Sequence, residues 1–250
     1  MKMFTMICAG IVMLANCSRI YGQENTDKIS LSVDVASSFI WRGLALNTSP
    51  VIQPSFTFTP GKFSMGVWAS TPFTSGEYQE VDVFINYRFT PSLSISLSDY
   101  FGYDYSWWDS PAYFNYKRGE TNHVYDLQLI YDGSGKFPIK TMVSTIIAGD
   151  DLRWSGKNSW EGKWKNNFST YIELGYENRC KSVDWEVFVG MVPMASENFY
   201  GITGASVINL GLGLSKSFEI TPTYSLPLAI KLAVNPAMES VFVSAVITLF

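Results

Sequence analysis

The chain has 250 residues, of which 47% are hydrophobic, 16% aromatic and only 16% charged, with a formal net charge of −4. An acidic chain without basic clusters lacks the electrostatic footprint of nucleic-acid binding, so that partner class is excluded. Beyond residue 22 no segment stays apolar for the roughly 20 residues that a membrane-crossing helix needs, and the hydrophobicity must be spent in shorter pieces.

Residues 1–22 predict a secretory signal. Lys2 supplies the positive start, Met3 to Ala15 the apolar stretch, and Gly22 the small residue before cleavage at Gln23. Leu14-Ala15-Asn16-Cys17 offers a lipobox-like alternative, although Asn16 suits the position before an acylated cysteine poorly. Cleavage after Gly22 removes Lys2 and Arg19 and no acid, which makes the chain still more negative. Cys8 and Cys17 leave with the signal. Cys180 then stands alone, so neither an intramolecular disulfide nor a cysteine metal cluster is expected, and no cofactor or metal is foreseen.

From Lys28 onward the sequence alternates with period two. Ile29, Leu31, Val33 and Val35 oppose Ser30, Ser32, Asp34 and Ala36, which places one face in an apolar medium and the other near polar groups. The pattern returns at Val81, Val83, Ile85 and Tyr87, at Leu93, Ile95 and Leu97, at Val183, Trp185, Val187 and Val189, and at Ile208, Leu210, Leu212 and Leu214. It predicts strands over 28–42, 50–59, 62–70, 79–90, 92–104, 122–132, 138–149, 166–177, 182–191, 206–218, 225–234 and 239–250. That is about twelve, an even number of the kind bacterial barrels use. Residues 23–250 form one domain in this reading.

Tight turns at Thr59-Pro60-Gly61, Thr90-Pro91-Ser92, Asp132-Gly133-Ser134-Gly135, Asn178-Arg179 and Thr221-Pro222 alternate with longer polar segments at 43–49, 71–78, 105–121, 150–165 and 192–205. Short turns on one rim and long loops on the other are the pattern of an up-and-down antiparallel transmembrane β-barrel. Only Asn235-Pro236 is a short connection on the loop side.

Aromatics gather near strand ends, at Phe39 and Trp41, Phe56 and Phe58, Tyr87 and Phe89, Phe101 and Tyr103, Tyr125 and Tyr131, and Phe168 and Tyr176. Such rings at both interfaces of a hydrocarbon layer form girdles, whereas a soluble sandwich would put them mid-strand. The chain ends on Phe250, an aromatic of the kind read by barrel-assembly machinery, though strict alternation with Val241 and Val243 would turn its ring inward. Asp99 falls on the lipid-facing phase unless a bulge near Tyr100 resets it.

The stretch Ser37-Ser38-Phe39-Ile40-Trp41-Arg42-Gly43, followed by Pro50 and Gln53, resembles the start of the TorF-type porin family of bacterial outer-membrane proteins. Gly61-Lys62-Phe63 with Gly66-Val67-Trp68-Ala69-Ser70, and Glu80-Val81-Asp82-Val83-Phe84, extend the resemblance over the first third of the mature chain. Ser38 stands where that family usually has aspartate. The resemblance implies a barrel in the outer membrane of a Gram-negative bacterium, with a transport role and no catalytic residues.

With apolar faces outward, Asp34, Arg42, Trp68, Asp82, Arg88, Asp126, Lys140, Glu173, Asp184, Glu186 and Lys231 are expected to line the lumen. Mixed charge on a lumen face suits passage of ions or small solutes, and equally suits ion pairs that plug a narrow barrel. Arg42 and Trp68 would meet there, either as a constriction or as filler. Trp107, Trp108, Trp154, Trp160 and Trp164 crowd the long loops, where they would stack on a surface ligand such as a glycan or pack the loops together.

The competing class is an outer-membrane lipid hydrolase. His123 is the only histidine, Asp126 falls on the opposite strand face, and no Gly-x-Ser-x-Gly elbow is present. The Asp150-Asp151 pair is a weak signal for calcium. The chain is therefore read as a porin-like barrel whose partners are outer-membrane lipid, assembly machinery and small solutes or ions.

Overall fold

The computed structural model describes residues 28–104, 112–134, 136–156 and 162–250. The signal segment and Trp107, Trp108 and Trp160 lie outside the described residues. In chain order the strands are β1 (Ile29–Ala36), β2 (Phe39–Trp41), β3 (Leu44–Asn47), β4 (Val51–Phe58), β5 (Phe63–Pro72), β6 (Tyr78–Thr90), β7 (Leu93–Asp104) and β8 (His123–Tyr131). They continue as β9 (Lys140–Gly149), β10 (Leu152–Trp154), β11 (Trp164–Asn166), β12 (Thr170–Cys180), β13 (Val183–Val192), β14 (Ser206–Thr221), β15 (Tyr224–Asn235) and β16 (Ser240–Thr248), with a 3₁₀ turn at Pro236–Met238.

Twelve of these close into an antiparallel barrel in the order β1-β16-β15-β14-β13-β12-β9-β8-β7-β6-β5-β4. Closure satisfies the sheet edges: β1 pairs with β4 through Val33↔Pro54 on one side and with β16 through Asp34↔Thr248 on the other. The Leu249 amide donates to Val33, and the Val33 amide donates to the Phe250 carbonyl, so the last residues extend the seam. The Phe250 side chain is exposed.

Alternation places aliphatic side chains on the outer wall and polar ones within. Leu31, Val83, Leu129, Leu212, Ile230 and Val243 are exposed, while Asp34, Gln53, Asp82, Asp126, Gln128 and Ser144 are buried. This inverts the distribution of a water-soluble domain. Near the tight turns, rings pair along the outer wall: Phe63 with Tyr87 at 4.8 Å, Tyr87 with Phe89 at 5.1 Å and Tyr176 with Trp185 at 5.7 Å between centroids. Inside, Phe84 and Phe188 lie across their cross-strand partners Gly66 and Gly211, where a Cβ would overlap the phenyl ring.

Two sequence expectations need correction, while the lipid-facing phase expected for Asp99 stands. The first strand does not run through 28–42: β1 stops at Ala36, and 39–47 turn back as the β2–β3 hairpin, so 43–49 is no simple outer loop. Phe39 and Trp41 consequently pack in apolar clusters with lumen-side residues rather than in a girdle. At Gly190/Met191 the β13–β14 register shifts, and Ile208 is fully buried beside Asn209 instead of joining Leu210 on the outer wall. At Asp99 no bulge intervenes. Its partners are Val83 and Tyr125, so it stays on the outer wall, where His123 meets it.

Candidate lumen constriction

The β2–β3 hairpin crosses the loop-side half of the lumen. Its base is fixed to the seam, where the Ser37 amide donates to Ala245 and Ser244 Oγ donates to the Ser38 carbonyl. Its tip is Arg42-Gly43, both at positive φ (48° and 77°). Glycine is required at the second position on two grounds. The left-handed backbone suits it, and any Cβ would overlap the Ile208 carbonyl oxygen of β14. Asn235 Nδ2 donates to the Gly43 carbonyl at 3.0 Å, and Asn47 Nδ2 reaches the Tyr78 carbonyl at 2.6 Å.

This seating carries Arg42 across to β8. Its Nη2 donates to Asp126 Oδ2 at 2.7 Å and its Nη1 to Tyr200 Oη at 2.8 Å, with both charged side chains nearly or fully buried. The guanidinium lies over the Trp41 ring (4.4 Å) and the Tyr171 ring (4.9 Å). Asp126 also accepts from Tyr100 Oη (3.1 Å), Gln128 Nε2 (2.8 Å) and Ser144 Oγ (2.6 Å). A buried carboxylate with this many donors and a guanidinium is held in one geometry, and so is whatever the guanidinium is attached to.

The 193–205 connection folds inward against the tip. Tyr200 stacks on Trp41 at 5.9 Å and 7°, and Ile202 joins Ile130, Met142, Tyr171, Val192 and Ile208 in a buried cluster. That connection is tied to the 150–169 loop through Ser196 Oγ, which lies 2.6 Å from Ser169 Oγ. Ser169 in turn donates to Asp151 from both amide and hydroxyl, so the Asp151 carboxylate is spent on a loop tie.

The other expected lumen residues fall at distinct depths. Trp68 is buried but does not meet Arg42. It packs edge-on against Phe39 at 5.3 Å. The Arg42–Trp68 pairing is thus replaced by Arg42 with Trp41 and Tyr171, because the hairpin turns the arginine toward β8 and β12. Asp34 accepts from Thr248 at 2.6 Å, and Asp82 is buried close to Glu80, which accepts from Tyr78 Oη at 2.5 Å. Glu173 accepts from Tyr171 Oη and from Asn209 Nδ2 at 3.0 Å. Toward the tight turns, Lys140 pairs with Glu177, Lys231 lies 3.5 Å from Glu186 and over the Phe188 ring, and Arg179 grips Asp184 at the more exposed end. Arg88 is exposed near the end of β6. Of the loop tryptophans, Trp154 and Trp164 meet edge-on at 5.3 Å within the β10–β11 hairpin.

Sequence reasoning missed Tyr100, Tyr171, Tyr200, Glu80 and Gln128 at this site. Tyr200 was out of reach because it lies on a connection, whose path alternation does not fix. Glu80 and Gln128 share the inward phase with Asp82 and Asp126 and were accessible by counting.

His123 meets Asp99, with Nδ1 at 2.8 and 3.0 Å from the two carboxylate oxygens, while Nε2 faces the Tyr113 carbonyl at 2.6 Å. A carbonyl can only accept, so both ring nitrogens are engaged and neither is presented to a nucleophile.

An apolar outer wall, a closed sheet and charged side chains held within define a transmembrane β-barrel. No protein-family model matches the chain, and no curated protein matches it by sequence. Among solved structures the chain is similar to the NanC porin, at 8% identity and a TM-score of 0.43, over 88% of this chain and 98% of that one. It is also similar to Wzi, an outer-membrane protein involved in group 1 capsule assembly in Escherichia coli and described as a carbohydrate-binding β-barrel, at 13% identity and a TM-score of 0.31. That match covers 88% of this chain, which spans 56% of the other protein's length.

Proposed function

We propose that the protein is a porin-like barrel of the Gram-negative outer membrane that passes small cations or small polar solutes, with the β2–β3 hairpin as its constriction. The observation that carries this reading is a run of buried polar atoms without a protein partner: Ser32 Oγ, Trp68 Nε1, Asp82 Oδ1, Asn86 Oδ1 and Ser96 Oγ, on β1, β5, β6 and β7. Buried polar groups are nearly always satisfied, so such a run marks the side of the lumen where water would enter first once the packing around the hairpin opens. Beside it stand Asp34, Glu80 and Asp82, none of which is ion-paired among the described residues. A hydrated track lined by acids favours cations.

Placement in the outer membrane rests on the even strand number and the alternation of tight turns with long connections. The motif Phe39-Ile40-Trp41-Arg42-Gly43 supports membership of the TorF-type porin family, since these residues build the constriction.

A plugged barrel is the second reading, favoured by the apolar packing of Trp41, Tyr171, Tyr200, Ile202 and Ile208 around the hairpin tip. Refolded protein in planar bilayers separates the two. Discrete conductance steps with a reversal potential on the cation side support passage. Silence in every salt from a verified barrel supports the plug.

A further inference from the structure

We propose that a pocket on the outer wall, at the loop-side rim of β8 and β9, binds a phosphorylated sugar. The pocket has a volume of ≈ 220 Å³ and is lined by Tyr116, Arg118, Thr121, Tyr125, Ala148, Gly149 and Asn166. That is far above the roughly 10–15 Å³ that a single water needs, so the pocket admits a ligand of several heavy atoms.

Its walls are built rather than incidental. The 112–122 segment folds down over the barrel and is pinned by His123, which is fully buried, held by Asp99 on Nδ1 and donating from Nε2 to the Tyr113 carbonyl. Tyr116 stacks on one side of the imidazole at 4.6 Å and 28°, and Tyr125 lies parallel to it at 6.1 Å and 11°. Since Nε2–H is spent on the Tyr113 carbonyl, Nδ1 and Asp99 share a second proton, and the assembly of rings is held by polar bonds as well as by contact. Gly149, at φ 95°, lets the β9 end pass close to the His123 carbonyl, where a Cβ would overlap it.

Charge specifies the ligand. Lys117 is paired with Glu120, whereas Arg118 makes one bond to Asn166 Oδ1 at 2.8 Å and is exposed, leaving donors of its planar fork for an anion. Arg153, Lys163 and Lys165 are exposed on the adjoining β10–β11 hairpin, and Asp150 is an exposed acid among the described residues beside them. An arginine fork matches phosphate oxygens, and two tyrosine rings offer faces and hydroxyls to a pyranose. The pocket opens on the wall that meets lipid headgroups, so the ligand is either the phosphorylated sugar of a membrane lipid or a free sugar phosphate. The inference rests on the membrane placement above and is independent of whether the lumen conducts.

The test uses the folded full-length mature chain in detergent micelles, with barrel integrity read from its gel shift on boiling. Calorimetric titration with glucosamine 1-phosphate, with glucosamine, and with micelles doped with the phosphorylated glucosamine disaccharide lipid (lipid A) gives three arms. Binding of lipid A alone identifies a lipid headgroup, and equal binding of the free phosphate identifies a soluble sugar phosphate. In either case Arg118→Gln should weaken binding at least tenfold, and Tyr125→Leu should weaken it without abolishing the phosphate preference. Binding of neither phosphate, equal binding of glucosamine, or unchanged affinity in Arg118→Gln overturns the proposal. A barrel that dissolves without detergent would instead overturn the placement.

Discussion

Arg42 and Asp126 lie 84 residues apart in the chain and 2.7 Å apart across the barrel. The bond joins the tip of an inward hairpin to the barrel wall and, with the Asn235–Gly43 and Asn47–Tyr78 bonds, holds it across the loop-side half of the lumen. Nothing in the wall itself depends on it, since β8 is held by β7 and β9 along its length. Loosening the pair should therefore change the lumen before it changes the barrel.

Arg42→Ala should destabilise the folded protein by about 3–5 kcal/mol, the range for breaking a buried ion pair from one side. The lower end is expected, because Tyr100, Gln128 and Ser144 still donate to Asp126. Urea unfolding in detergent measures the loss. Replacing both partners, as Arg42→Met with Asp126→Leu, should cost less than the two single changes added together. An additive result would show that the two side chains do not act as a unit.

Gly43→Ala should release the hairpin while leaving the barrel closed. A left-handed alanine costs about 1–2 kcal/mol, and its methyl group would also collide with the Ile208 carbonyl. Faster cleavage within 38–48 by added protease, with an unchanged gel shift on boiling, is the expected pair of observations. Protection equal to that of the unaltered protein would place the hairpin elsewhere.

Asp82→Asn with Glu173→Gln should move the reversal potential under a salt gradient toward anions. Both acids face the lumen, and neither is ion-paired among the described residues, while Lys140, Lys231 and Arg179 have carboxylate partners. The cation preference of the unaltered protein should fade as salt rises, since the screening length is only about 8 Å at physiological ionic strength. A potential unmoved by the double change would mean that these acids lie off the conducting path.

His123→Gln should leave conductance intact and loosen the 112–122 segment. The change removes the ring that Tyr116 stacks on and leaves Asp99 with a weaker partner on the outer wall. Hydrogen exchange of amides 113–122 should accelerate by tenfold or more, with the β-strand amides unaffected. Uniform acceleration across the barrel would instead make His123 part of the global core.

The barrel itself was legible in the sequence because a membrane enforces alternation along most of each strand. Val83, Asp82 and Phe84 could be assigned to walls by parity alone, and the structure pairs them accordingly. Parity fails where backbone leaves the ladder. Counted in phase from β1, the tract Phe39-Ile40-Trp41-Arg42-Gly43 would continue the strand, yet the Ser37-Ser38 bend sends it inward, so Arg42 reached the lumen by a route that its phase did not reveal. Ile208 was misassigned for a related reason, because one extra residue in β14 flips the phase. The His123–Asp99 pair was hidden because its partner lies on another strand, and sequence spacing from His123 pointed only to Asp126.

The most direct measurement is single-channel conductance of a variant in which 38–48 is replaced by a short Gly-Ser linker, compared with the unaltered protein in the same salt. The hairpin, Tyr200 and Asp126 together occupy the loop-side lumen, so removing the hairpin should raise conductance several-fold and flatten ion selectivity while the protein still shifts on boiling. Equal conductance in the two proteins, both verified as closed barrels, would contradict the assignment of β2–β3 as the constriction.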